Sequence, residues 1–230
     1  MKVILFGSTG MIGQGVLSEC LKDPLVESVL VLNRQTCGVT NPKLTEIIQL
    51  NFFDLSPVST KLAGYDACFF CLGVSSFGMN EPEYNQITYE LTIKVANVLL
   101  SLNKDLSFCY VSGASTDSTE KGKVMWARVK GKTENELLSM PFRDAYMFRP
   151  GYIQPMQGVK SKTRLYRFMY SLFKPLYFIL KNFEGFVTDS ETIGRAMIIV
   201  SSKGYEKKIL ESIDINAVVK SSVNLNYQNA

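Results

Sequence analysis

An apolar run from Val3 to Phe6 breaks at Gly7 into Gly7-Ser8-Thr9-Gly10-Met11-Ile12-Gly13, and no other stretch constrains the fold as much. The run has the β-branched, continuously apolar character of a strand covered on both faces. Glycines three apart then let the strand turn tightly, let its backbone approach a diphosphate, and let the following helix pack close to the sheet. The first N–H groups of that helix and the positive end of its dipole would face the phosphates. The turn therefore reads as a dinucleotide site contributed by all seven residues from Gly7 to Gly13.

The elements that follow agree with this reading. Met11 to Lys22 has helical spacing, with Ile12, Val16, Leu17 and Leu21 on one side, and Asp23-Pro24 stops it. Strands are expected over Ser28–Leu32, Glu46–Leu50, Asp66–Leu72, Leu106–Val111 and Ala145–Phe148, with a last short one over Lys207–Leu210. Helices are expected over Glu83–Leu102, Lys123–Leu138 and Asp189–Val200, and the chain is expected to loosen over 213–230. Strands alternating with helices predict a doubly wound α/β fold of Rossmann type, with a parallel sheet and helices on both faces. The 230 residues are read as one domain, with 152–190 as a helical insertion on the substrate side.

Asn33-Arg34 closes the second strand where a fold preferring NAD places Asp or Glu for the ribose hydroxyls. Arg34 offers a positive fork to a 2′-phosphate instead, so NADP(H) is favoured over NAD(H). Asp54, followed by Leu55, lies beyond the third strand and is read either as an acceptor for the adenine amino group or as a turn cap. After the fourth strand, Gly73 lets the backbone pass beside the cofactor.

Composition removes several chemistries. The chain has no histidine, which excludes imidazole general bases, serine–histidine triads and histidine metal ligands. Its five cysteines fall mostly in apolar runs; Cys68 and Cys71 form a C-x-x-C within a strand and point to opposite faces, so no metal site is expected. The N-terminus enters the first strand at once, which suggests a cytoplasmic address. Charge is uneven: residues 1–120 carry 7 basic and 12 acidic side chains, whereas 121–181 carry 13 and 3.

Much of that basic section lies in 160–183, where Arg164, Arg167, Lys174 and Lys181 would form a stripe on an otherwise apolar helix interrupted by Pro175. Covering the sheet and lining a substrate pocket, forming a homo-oligomer interface, or touching an anionic membrane surface all fit it. Nucleic acid is not an expected partner, because no recognised binding module accompanies the basic residues.

The glycine turn, Cys71-Leu72-Gly73, Tyr110-Val-Ser112-Gly-Ala, Val129-Lys130-Gly131 with Glu134, and Phe148-Arg-Pro150-Gly151 together resemble the short-chain dehydrogenase/reductase superfamily. Within it they are similar to the atypical NAD(P)-binding proteins related to nucleotide-sugar epimerase/dehydratases and Tat-interacting-protein-like reductases. The resemblance covers about residues 1–200. It implies cofactor contacts at Cys71, Leu72, Gly73 and Pro150, and an oxidoreductase or epimerase-like activity on a small carbonyl or hydroxyl substrate.

The family uses a Tyr-x-x-x-Lys, the lysine binding the nicotinamide ribose and lowering the tyrosine pKa, with a serine near the end of the fifth strand. Here the motif reads Trp126-Ala-Arg-Val-Lys130, so Lys130 and Ser112 are the corresponding groups and Trp126 stands at the tyrosine position. An indole N–H donates a hydrogen bond but does not exchange a proton near neutral pH. The resemblance thus leaves two functions open: an enzyme whose proton comes from Ser112, Ser115, water or substrate, and a silent NADP(H)-binding regulatory protein.

Overall fold

A computed structural model describes residues 1–154 and 187–228, and of 223–228 only the backbone. Its sheet is built from β1 (Lys2–Phe6), β2 (Ser28–Asn33), β3 (Leu44–Ile48), β4 (Ala67–Phe70), β5 (Ser107–Val111), β6 (Asp144–Arg149) and β9 (Ile209–Glu211). The strands lie in the order β3-β2-β1-β4-β5-β6-β9, and every neighbouring pair is parallel. A second, two-stranded parallel sheet pairs β7 (Tyr152–Gln154) with β8 (Val187–Asp189).

Alternation along the strands explains the layers. Val3, Leu5, Val29, Val31 and Phe69 face one side, where α1 (Met11–Lys22), α5 (Ser190–Lys203) and α6 (Ser212–Gln228) cover them with Val16, Leu17, Ile193, Met197, Ile215 and Val218. Ile4, Phe6, Leu30, Leu32 and Phe70 face the other, under Leu91, Val95 and Leu99 of α3 (Leu91–Leu102) and Leu137 of α4 (Met125–Ser139). A parallel sheet buried on both faces needs such unbroken apolar strands, which is why the sequence reveals them. Cys68 and Cys71 fall on opposite faces, as their spacing predicts.

The boundaries differ where local chemistry intervenes. The long helix expected from Glu83 starts as α2 (Glu81–Asn85), because Asn80 and Glu83 form a capping box. It then passes through a π turn, Gln86–Glu90, before α3. The third strand lies two residues earlier than expected, because it is the sheet edge: Ile48 and Leu50 are exposed, so the apolar pattern runs past the hydrogen-bonded ladder. The terminal stretch expected to loosen forms α6 instead, since Ile215 and Val218, one turn apart, enter the core. The stripe of basic residues expected over 160–183 lies outside the described residues, as does most of the substrate-side insertion.

Candidate nucleotide and active site

The order of strands reverses between β1 and β4, and ligands of open parallel sheets bind at the carboxyl ends of the strands beside such a switch. The glycine turn leaves β1 at this point. Gly7 has φ +83, and a Cβ there would lie 2.8 Å from the Cys71 carbonyl carbon and oxygen. A Cβ at Gly13 would stand 2.1 Å from the Gly7 carbonyl oxygen. Both glycines are therefore required for the turn to close against itself and against the segment after β4.

Helix α1 then begins with Gly10 as N-cap, with no side chain capping it and no acidic residue in its first turn. An uncapped positive helix end walled by backbone is a fitting cradle for a diphosphate. Replacing Gly13 by alanine is expected to destabilise the fold by about 1–3 kcal/mol through overpacking. Melting curves would check this: the variant should melt lower than the wild-type chain.

The other turn residues divide between backbone and side-chain roles. Ser8 is fully buried, and its hydroxyl donates to Asn33 Oδ1 at 2.9 Å. Asn33 in turn donates to Glu46 Oε1 at 2.8 Å. Arg34 is exposed at the end of β2 and makes no ion pair among the described residues. Leu55 is buried in the core and Leu72 packs at its margin. Asp54 caps a turn: its Oδ1 accepts from the Ser56 N–H at 3.0 Å and hydroxyl at 2.6 Å, which hold the carboxylate below its usual range.

At the ends of β5 and β6 a second group of residues converges. Ala114 N–H donates to the Pro150 carbonyl at 2.9 Å, which joins the loop after β5 to the loop after β6. Lys130 Nζ donates to the Ser112 carbonyl oxygen, and burial lowers its ammonium to about 8 against the raising pull of Glu134. The Ser112 hydroxyl itself donates to Glu134 Oε1 and lies 3.1 Å from the Phe148 carbonyl. Ser112 thus turns its carbonyl to Lys130 and its hydroxyl inward to Glu134, where the sequence leaves Ser112 and Ser115 both open as the hydroxyl nearest substrate. Ser115 is an exposed hydroxyl of this loop, in a left-handed conformation at φ 65.

Trp126 lies one turn before Lys130 on α4 and is half-buried. The helix reaches the loop after β5 because Gly131 has no side chain: a Cβ there would fall 1.8 Å from the Asp117 carbonyl oxygen. Beneath it, Glu134 is fully buried and held by Arg149, whose Nε lies 3.0 and 3.1 Å from its two oxygens. Sequence reading marks Glu134 and Arg149 only as parts of a motif. Their 15-residue separation gives no local sign of an ion pair.

No family model matches the chain. Protein fmp52-1, mitochondrial, of Aspergillus terreus is 26% identical over 172 residues, spanning 70% of this chain and 69% of that protein. Protein fmp52, mitochondrial, of Emericella nidulans is 23% identical over 218 residues and 90% of each chain. These names point to mitochondria and overturn the cytoplasmic address expected from the sequence. Compartment is set by receptor-read signals and not by the fold's packing, so the strand and helix pattern carries no information about it.

Among solved structures, a short chain dehydrogenase family protein from Francisella tularensis superposes with TM-score 0.64 at 13% identity, covering 91% of this chain and 95% of that one. The Bordetella bronchiseptica enzyme WbmF in complex with NAD+ gives 0.63 at 14%, covering 97% and 78%. Helicobacter pylori ADP-L-glycero-D-manno-heptose-6-epimerase gives 0.63 at 12%, covering 96% and 81%. The parallel sheet, the glycine turn at its switch point and these superpositions agree: the chain has the fold of the short-chain dehydrogenase/reductases, in the atypical form shared with NAD-dependent epimerase/dehydratases.

Proposed function

We propose that the chain binds NADP(H) and works as an oxidoreductase or epimerase-like enzyme on a small carbonyl or hydroxyl substrate. The observation that carries this reading is the backbone cradle of Gly7 and Gly13 beneath the uncapped start of α1. NAD+ and NADH in complexes with structures of this fold support a nicotinamide cofactor. Arg34 and the absence of a carboxylate at position 33 favour the 2′-phosphorylated form.

In this reading Lys130 holds the nicotinamide ribose, and Ser112 fixes the lysine through its carbonyl. Ser115 offers a hydroxyl to the substrate oxygen. When bound, the nicotinamide gives or takes a hydride. Trp126 contributes shape and an N–H donor but no proton.

A second reading, a nucleotide-binding protein without turnover, is favoured by Trp126 together with the inward commitment of the Ser112 hydroxyl. It leaves the same cradle in place and removes only the chemistry. A homo-oligomer interface or membrane-surface contact through 160–183 belongs with it as a proposed partner surface.

Melting curves with NADPH and NADH test the common base. At 100 times the Kd, bound cofactor adds about 2.7 kcal/mol, a rise of roughly 5–10 °C for a chain of this size. If neither cofactor raises the melting temperature, both readings fail. Affinity should also weaken as pH climbs through about 8, because the free protein then loses the Lys130 charge that attracts the anionic cofactor. Arginine at position 130 stays protonated and should flatten that dependence.

A further inference from the structure

Glu46 lies on the edge strand, 13 residues from Asn33, and its carboxylate gathers the whole end of β2. Oε1 accepts from Asn33 Nδ2 at 2.8 Å and from the Cys37 N–H at 2.8 Å, and Oε2 accepts from the Thr36 hydroxyl at 2.7 Å. Arg34 and Gln35 are therefore bracketed by anchors on a single side chain. Thr36 Oγ1 also accepts from the Gly38 N–H at 3.1 Å, where φ is +70, which tightens the turn.

The same contacts explain why β2 ends in asparagine. The residue must accept from the Ser8 hydroxyl on one side and donate to Glu46 on the other, and a carboxylate there would face Glu46 with no proton to give. Because the Glu46 oxygens are taken by three donors, the carboxylate forms no ion pair with Arg34 among the described residues. Burial alone would raise Glu46, yet the bonds from Thr36, Asn33 and Cys37 outweigh it and keep the group below its usual range, hence charged at neutral pH. Arg34, one residue after Asn33 and two before Thr36, thus keeps its guanidinium available for another anion.

We infer that Glu46 is a positioning residue for cofactor selectivity: by clamping Asn33, Thr36 and Cys37 it holds the turn in the shape that presents Arg34 to the 2′-phosphate, and it ties that turn through Asn33 and Ser8 to the diphosphate cradle. This rests on the NADP(H) reading above. Glutamine at position 46 keeps the size but replaces one acceptor by a donor, which faces either Thr36 or the Asn33 and Cys37 pair with no lone pair.

The test is titration of NADPH and NADH, followed by calorimetry, onto the wild-type chain, Glu46→Gln, Thr36→Val, Arg34→Ala and the double variant Arg34→Ala/Glu46→Gln. Glu46→Gln should weaken NADPH by about 10–100-fold, the worth of a hydrogen bond to a charged group, and leave NADH within about threefold. Thr36→Val, which cuts one anchor and leaves the carboxylate, should shift the ratio in the same direction by a smaller factor. In the Arg34→Ala background Glu46→Gln should add no further loss of selectivity, since the clamp acts through that arginine. Equal weakening of both cofactors, or an additive double variant, would show a merely structural role and overturn the inference. A wild-type chain that does not prefer NADPH would overturn the NADP(H) reading itself, and the inference with it.

Discussion

Replacing Arg149 by alanine is expected to destabilise the protein by about 3–5 kcal/mol, the largest effect of any single side chain described above. Glu134 has no exposed surface, and its charge is balanced by the Arg149 guanidinium through Nε and Nη2 and by the Ser112 hydroxyl. Removing the arginine leaves a carboxylate in the interior with one neutral donor. Arg149 also donates to Ser118 Oγ at 2.5 Å and stands 3.5 Å from Glu211, so the loop before α4 and strand β9 lose an anchor as well.

Chemical denaturation gives the measurement, and pairing Arg149→Met with Glu134→Leu gives the control. An apolar pair of similar volume removes the stranded charge, so the double variant should recover most of the loss. A drop below about 1 kcal/mol for Arg149→Ala would mean that the pair behaves as a solvated surface bridge. Functionally the network matters because Ser112 connects it to Lys130: the hydroxyl holds Glu134 while the carbonyl holds the lysine.

Replacing Trp126 by tyrosine is expected to raise carbonyl reduction by about 10²–10⁴-fold, the usual range for a positioned general acid. The position lies one helical turn before Lys130, whose ammonium would lower the introduced phenol's pKa, and α4 is already held against the loop after β5 at Gly131. NADPH oxidation with a panel of aldehydes and ketones would show the gain, with NADPH affinity unchanged. A variant that binds NADPH as before and still turns over nothing would favour the silent reading.

The parts legible in the sequence are those that depend on neighbours in the chain. Val3–Phe6 and the residues from Gly7 to Gly13 are adjacent, so an apolar run and three spaced glycines suffice to imply a strand, a turn and a helix. The capping box of Asn80 with Glu83 is equally local and its residues stand in the expected order; the long apolar pattern that begins further on drew the helix start too late. The edge position of β3 was hidden for another reason: which strand ends a sheet depends on how strands order, and Ile48 and Leu50 look alike whether covered or bare.

Charged side chains were the least legible. A glutamate or arginine in a sequence reads as a solvent-facing residue, since burying one without a partner is prohibitive. Glu134 is buried only because Ser112 and Arg149, 22 and 15 residues away, bring donors to its carboxylate, and the half-buried Glu46 is held by donors 9 to 13 residues away. The chain alone determined the alternation of strands and helices, the glycine turn after β1 and the place of Trp126 one turn before Lys130, because each is written in consecutive or periodic positions. Only the folded arrangement decided that Ser112 points inward to Glu134, that Asn33 serves Glu46, and that Arg34 forms no ion pair among the described residues, because those contacts are set only once distant strands and helices have been brought into register.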